Sequence, residues 1–254
     1  MAHDRRRPSQ GGPIMSPLML DRRRLLLRAT SLAAVGLLPG CDYNDPKHPD
    51  ISDRILQFMS RFNDRVQAAL FDPHKLAPTF SENLITNPPR FNAFYDIAQA
   101  PEVDPLTFRL KVSGLVTDQS AWSLDRLRSM TQESQITRMT CVEGWRVIGQ
   151  WSGVPLRQFL AKIGADLTAR YVTFRCADGY YSSIDMPSAL QAQTILALDF
   201  LGKPLTAPFG APVRLRIPVK LGFKNPKSVT AIEVGNTYTG GYWEDQGYNW
   251  FSGS

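Results

Sequence analysis

The side chains able to do redox or nucleophilic chemistry are few and unevenly placed in this 254-residue sequence. The cysteines are Cys41, Cys141 and Cys176, and the histidines are His3, His48 and His74. Residues 75–254 therefore contain no histidine at all. That stretch can hold no Ser-His-Asp triad, no Cys-His dyad, no histidine zinc site and no histidine-ligated haem. Cys141 and Cys176 are 35 residues apart, which rules out a CxxC or four-cysteine metal site. No GxGxxG opens a helix and no GxxxxGK[ST] is present, so the common dinucleotide and phosphate loops are missing too. Chemistry in this part of the chain comes most economically from a bound cofactor.

Cys141 is the natural anchor for one. It lies in Ile136-Thr-Arg-Met-Thr-Cys-Val-Glu-Gly-Trp-Arg146, with Thr140 before it, Gly144 after it and Trp145 and Trp151 as packing bulk. This is the composition of a loop that presents a side chain, and a thiolate is a soft ligand suited to a transition metal. The residues alone leave two other readings open. One is a buried core thiol, the other a Cys141–Cys176 disulfide. A second cluster with chemical potential is basic: Arg214 and Arg216 alternate with Val213, Leu215 and Ile217, and Lys224 and Lys227 follow after a glycine turn. Such a strand and loop can cradle an anion or form a solvated basic face.

The elements that must position these groups begin at residue 87. Leu106–Val112 alternates as a strand ended by Gly114, and Ser123 caps a short helix to Met130. Pro155 opens a helix that Gly164 stops. Tyr171–Cys176 and Tyr180–Ile184 form two strands joined at Asp178-Gly179, Pro187 opens another short helix, and strands follow at Val213–Val219 and Val229–Val234. Strands and short helices without a regular βαβ repeat indicate an α+β domain over 87–254. Ahead of it, residues 42–86 read as an arm and linker. A helix capped by Asp50 or Ser52 runs to about Phe71, and its stripe Ile55, Phe58 or Met59, Phe62, Val66 is expected to lie across the domain. A membrane-surface helix is the alternative, favoured if Cys41 carries lipid.

Residues 1–41 read as an export leader. The Arg22-Arg23-x-Leu25-Leu26 pattern resembles the twin-arginine signal, with Asp21 where Ser or Thr is usual. Its apolar run, Ala29 to Leu38, is too short to span a bilayer. Leu38-Pro-Gly-Cys41 resembles a lipoprotein processing box, so a lipid anchor at Cys41 is the one membrane attachment the sequence suggests. The expected location is the periplasm. Seven arginines and two aspartates fall in residues 1–40, leaving 22 basic and 21 acidic residues in the remainder. The leader thus carries +5 of the net +6 and the remainder is close to neutral, so a nucleic-acid partner is not expected.

Arg138-Met-Thr-Cys141-Val-Glu-Gly-Trp145 followed by Trp151-Ser-Gly-Val-Pro-Leu156 resembles the cysteine motif of the sulfite oxidase-like molybdopterin oxidoreductases. The likeness is strongest to their bacterial periplasmic branch, which includes the catalytic subunit of protein-methionine-sulfoxide reductase. It covers about Pro88 to the C-terminus and implies one sulfite-oxidase-type domain binding Mo-molybdopterin, with Cys141 on the metal. Arg90-Phe-Asn92-Ala-Phe-Tyr95-Asp96 resembles the family's pterin-contacting segment and implies Asn92, Tyr95 and Asp96 as cofactor contacts. Leu221-Gly-Phe-Lys-Asn225-Pro226-Lys227 resembles a second pterin loop, implying residues 225–227, and Arg214 is implied on the phosphate side.

Three positions depart from the sulfoxide reductases: Cys176 stands for a pterin-contacting Thr, Phe209 for an Asn before Gly-Ala-Pro, and Thr140 for an Arg. Cys176 and Phe209 remain cofactor-side candidates by position, but substrate identity is not inherited. The expected reaction is oxygen-atom transfer on a small oxyanion or sulfoxide-type substrate. Arg138 and Arg146, with Arg214, are candidates for orienting an anion beside Cys141. Electrons are expected to pass to or from a separate haem protein. The aromatic C-terminal run Tyr242 to Phe251 is expected to form a packed lid. A metal-free thiol or sulfur-transfer protein, and a non-catalytic envelope lipoprotein of the same fold, are the alternatives.

Overall fold

The computed structural model describes residues 51–253. The leader with its arginine pair and the Cys41 box therefore lie outside the described residues. The first element, α1 (Ile51–Leu70), has the extent expected from its apolar spacing. From residue 109 onward the described chain forms two sheets with short helices, an α+β arrangement.

The first sheet runs in the order β2 (Trp122–Ser123), β1 (Arg109–Gly114), β10 (Val229–Gly235), β5 (Tyr171–Cys176), β6 (Tyr181–Asp185). β1 and β10 are parallel and the other pairs antiparallel. The second sheet runs β3 (Glu133–Thr140), β4 (Arg146–Pro155), β7 (Ile195–Phe200), β8 (Lys203–Pro204), with β9 (Arg214–Arg216) also on β7. Short helices α2 (Leu124–Arg128), α3 (Leu156–Lys162) and α4 (Met186–Leu190) connect them. Each begins as the sequence dictates. Ser123 Oγ accepts from Arg126 N–H at 3.1 Å, Pro155 sits at the start of α3, and Asp185 Oδ2 accepts from Ser188 N–H at 3.1 Å.

One core joins the elements: Leu110, Trp122, Phe159, Leu160, Phe174, Ile184, Leu196, Leu215 and Ile232 are all buried in it. The close approach of β4 to β7 requires glycine at 153, because a Cβ there would lie 2.0 Å from Leu196 O.

Two local expectations change. The first strand starts at Arg109, not Leu106, and Leu106 is 86% exposed. Asp104 accepts from Leu106 N–H (3.0 Å) and from Thr107 Oγ1 (3.0 Å), closing a turn that holds Leu106 outside the ladder. The Val213–Val219 strand shortens to Arg214–Arg216, since Pro218 cannot donate to a ladder.

The arm departs more instructively. α1 meets the domain through polar groups: Asp64 Oδ1 accepts from Phe251 N–H (2.6 Å), Gln67 Oε1 from Gly253 N–H (3.1 Å), and Ser60 O from Asn249 Nδ2 (3.4 Å). Phe71, just beyond the helix, meets the Phe251 ring edge-on at 5.6 Å. The apolar stripe does not cross the domain; Phe58 is 66% and Phe62 51% exposed.

Candidate cofactor site

β3 and β4 pair in register from Glu133↔Gly153 to Thr140↔Arg146, and Cys141 opens the turn between them. Cys141 N–H donates to Trp145 O (2.9 Å) and Gly144 N–H to Cys141 O (3.0 Å). Gly144 adopts φ +88°, a left-handed conformation that suits glycine. Hairpin geometry thus presents the half-buried thiol at the strand ends, as a loop position should. Cys141 and Cys176 are both free thiols, so they do not pair.

The thiol faces a cavity of about 510 Å³. Three separate segments make its walls: residues 90–97, the hairpin tip, and the loop 222–227. Asn92, Tyr95, Asp96, Cys141, Asn225, Pro226 and Lys227 all line it, so the two segments singled out in the sequence come together around the cysteine. Tyr95 OH donates to Asp178 Oδ2 at 3.2 Å, and burial together with that carboxylate pushes the phenol well up. Asp96 caps the turn 97–99, accepting from Ala98 N–H at 2.9 Å. Asn225 Oδ1 accepts from Arg216 Nη1 (2.9 Å) and Ile217 N–H (2.8 Å), while Nδ2 donates to Leu221 O (3.0 Å). Asn225 therefore fixes the loop on the arginine strand.

Arg214, Cys176, Phe209, Arg138 and Arg146 do not line the cavity. Arg214 lies one layer behind, donating to Asn225 O (3.1 Å) and Phe209 O (3.0 Å) with its guanidinium 4.8 Å from the Trp151 ring. Both β9 arginines are buried, so their side of the strand is no solvated face. Cys176 is buried beside Arg214 and Asp178, and desolvation pushes its thiol up. Phe209 stacks near Phe200, 4.9 Å away, in the small cluster with Trp151 and Leu205. Strand alternation decides the other two. Met139 is buried on one face of β3, while Arg138 and Thr140 face a different cavity shared with Phe71, Leu76 and Val219. Arg146 is exposed at the start of β4.

The arginine beside Cys141 is instead Arg90. It lines the cavity, lies 4.3 Å from the Trp145 ring, and its charge opposes the upward push that burial gives the Cys141 thiol. Residues not singled out as site residues complete the walls: Trp145, Asp178, Tyr180, Trp243 and Tyr248. Phe94 stacks on Tyr242 at 4.8 Å and on Tyr180 at 5.9 Å, so the aromatic C-terminal run does close over one side. Only Trp145 and that run carried a signal in the sequence, as aromatic bulk.

The charge balance indicates what the cavity takes. Lys227 is 8% exposed; its Nζ donates to Asn92 O (2.5 Å) and Pro208 O (2.7 Å), and burial pushes it down to about 7. Burial likewise pushes Arg214 down to about 10 and Arg216 to about 9. No ion pair among the described residues includes Arg90, Arg214, Arg216 or Lys227. The cavity's own carboxylates are turned to nearby donors: Asp178 to Tyr95 and Tyr180 N–H, Glu143 to Trp145 Nε1 (2.6 Å). Buried cations bonded only to carbonyls and other neutral groups are expensive without an anion, and an anionic ligand would relieve that cost. Among the described residues no three His, Cys, Asp or Glu side chains gather as a metal site. A metal at Cys141 must therefore arrive with ligands of its own. A phosphate-bearing pterin dithiolene carrying molybdenum meets both conditions.

Comparison with known proteins agrees. Residues 97–243 match the family described as "Oxidoreductase molybdopterin binding domain". A relative from Azospira oryzae, provisionally named protein-methionine-sulfoxide reductase subunit YedZ1, is 53% identical over 92% of this chain and 88% of its own length. The protein-methionine-sulfoxide reductase catalytic subunit MsrP of Xanthomonas axonopodis pv. citri is 31% identical over 89% of this chain and 73% of its own. In fold, the chain resembles the sulfane dehydrogenase SoxCD from Paracoccus pantotrophus, with a TM-score of 0.52 and 20% identity, over 55% of this chain and 41% of that one. The chain belongs to the molybdopterin-binding oxidoreductase family with a sulfite-oxidase-type fold, and is an oxidoreductase that uses Mo-molybdopterin.

Proposed function

We propose that this protein is an exported sulfoxide reductase in which Cys141 ligates the molybdenum and a separate haem protein supplies electrons. The observation that carries the reading is the free thiol at the tip of the β3–β4 hairpin, facing a cavity that buried Lys227 lines, with Arg214 and Arg216 buried behind it and none of the three ion-paired among the described residues. The sulfoxide class is favoured by the names of the two relatives above. Bound there, the cofactor supplies two-electron redox chemistry coupled to oxygen-atom transfer. The balance on the substrate is one sulfoxide, two electrons and two protons giving one thioether and water.

The chain's own residues then divide the work. Asn92, Tyr95, Asp96 and the loop 225–227 hold the pterin, with Lys227 joining the two segments through Asn92 O. Arg214 fixes that loop from behind and adds positive charge on the phosphate side. Arg90 is the cation placed to orient a polar S–O group near Cys141, in place of Arg138 and Arg146. Trp145, Trp243 and Tyr248 supply apolar wall that excludes water and suits a thioether product. A separate partner carrying the haem fits a domain that has no histidine with which to ligate one. The metal-free thiol reading is disfavoured by membership of the molybdopterin-binding family. The leader supports export by the twin-arginine route.

The test is metal analysis, pterin fluorescence and sulfoxide reduction with a reduced dye, on protein recovered through its native export route. The expected result is about one molybdenum and one pterin per chain, with activity lost in Cys141→Ser while the pterin stays bound. Full activity in that variant, or active protein without molybdenum, overturns the proposal.

A further inference from the structure

The face of α1 that points away from the domain has a chemistry of its own. Ser60, Asp64, Gln67 and Phe71 are spaced by four, three and four residues, which sets them on one side, and all four make the contacts to the C-terminal segment described above. At about 100° per residue, the stripe Ile55, Phe58, Met59, Phe62 and Val66 falls on the opposite side, and every one of these residues is exposed. Arg54, Arg61 and Arg65, also exposed, fall together along one edge of the stripe.

This arrangement selects its occupant. The helix sequence contains no glutamate; of its two aspartates, Asp64 is already committed to Phe251 N–H, and Asp53, eleven residues earlier, falls by helical spacing on the side of Asp64 and away from the arginine edge. A second copy of the helix would therefore bring no acid placed to neutralise the arginine edge. Nor is any described helix long and apolar enough to cross a membrane. A broad apolar face edged by arginines, on a helix too polar to span, is the form that lies in the plane of a lipid interface, with acyl chains under the stripe and phosphates at the arginines. We propose that α1 seats on an anionic phospholipid surface and holds the domain there, independently of any acyl group at Cys41. The polar contacts of Ser60, Asp64 and Gln67 make the helix a rigid foot of the domain, leaving the stripe free for lipid.

The test is flotation of the holoenzyme, in a Cys41→Ser background that removes acyl anchoring, with phosphatidylcholine vesicles and with vesicles containing 30% phosphatidylglycerol. The protein is expected to float with the anionic vesicles and to be released by high salt. Each arginine replaced in Arg54→Gln, Arg61→Gln and Arg65→Gln should lower partitioning about fivefold. The double variant Phe58→Ser, Phe62→Ser should lower it by about tenfold or more. All variants should keep wild-type molybdenum content and melting temperature, since the altered side chains are exposed. Failure to float with anionic vesicles, or equal partitioning onto both kinds, overturns the proposal. Concentration-dependent dimerisation that Phe58→Ser, Phe62→Ser abolishes also overturns it, assigning the face to a second copy.

Discussion

Replacing Lys227 by Met separates what the buried cation costs the empty protein from what it contributes to the loaded one. Burial pushes Lys227 down to about 7 from 10.5. Between those values the unfolded chain holds this proton and the folded chain does not. More protons bound in the unfolded state means that stability rises with pH across the window, by up to about 1.4 kcal/mol per pH unit for one group. Lys220 is pushed down to about 7 as well and adds a similar slope. The cofactor-free wild type should therefore gain stability between pH 7 and pH 9, and Lys227→Met should lose up to about 1.4 kcal/mol per unit of that slope. Below pH 7 the charged ammonium is retained at a cost, so the variant's advantage is largest there. An anionic cofactor favours the charged form, so the loaded wild type should show a shallower slope than the empty protein. Lys227→Met should also hold the cofactor less tightly, by about tenfold or more for one lost charge-assisted contact. Urea unfolding followed by tryptophan fluorescence from pH 6.5 to 9 gives the slopes, and pterin release on dilution gives the retention. A variant with the full wild-type slope, or one that retains pterin as well as wild type, refutes the reasoning.

Other positions give sharper yes-or-no outcomes. Gly153→Ala places a Cβ 2.0 Å from Leu196 O and should cost about 2–3 kcal/mol by forcing β4 from β7, read as a lowered Tm. Arg90→Ala should reduce sulfoxide reduction about tenfold or more, because it removes the cation beside Cys141, while exposed Arg146→Ala should leave kcat/KM within about twofold. Phe209→Ala should destabilise the protein by about 2 kcal/mol through the Phe200 and Trp151 cluster, without lowering molybdenum content.

What the sequence made legible follows from local physics. Tyr171–Cys176 alternates and has the observed bounds, because a strand between two antiparallel neighbours keeps its side-chain period. In the sheet carrying the cysteine only β9 is legible as a strand in the sequence; β3, β4 and β7 are not. β4 holds Gly149, Gly153 and a terminal proline, features of a loop that here permit close strand packing. β7 begins Ile-Leu-Ala-Leu, buried on both faces, and such runs carry no period. The candidate cofactor segments 92–96 and 225–227 are legible only through their resemblance to a family pattern, since nothing local tells a pterin contact from a turn. Arg138 and Arg146 flank Cys141 in sequence, whereas strand alternation turns Arg138 away and leaves Arg146 outside the cavity. Arg90 is 51 residues from Cys141, and only tertiary folding brings it to the same cavity. The arm shows the same limit in reverse: apolar spacing located α1, but which face meets the domain depended on Asn249, Phe251 and Gly253, far along the chain.

The central claim is that Cys141 is the protein's own ligand to molybdenum. X-ray absorption at the molybdenum edge, comparing wild type with Cys141→Ser at matched pterin content, tests it directly. The variant should lose one sulfur from the metal's coordination sphere while the pterin remains bound. An unchanged sulfur count in the variant would contradict it.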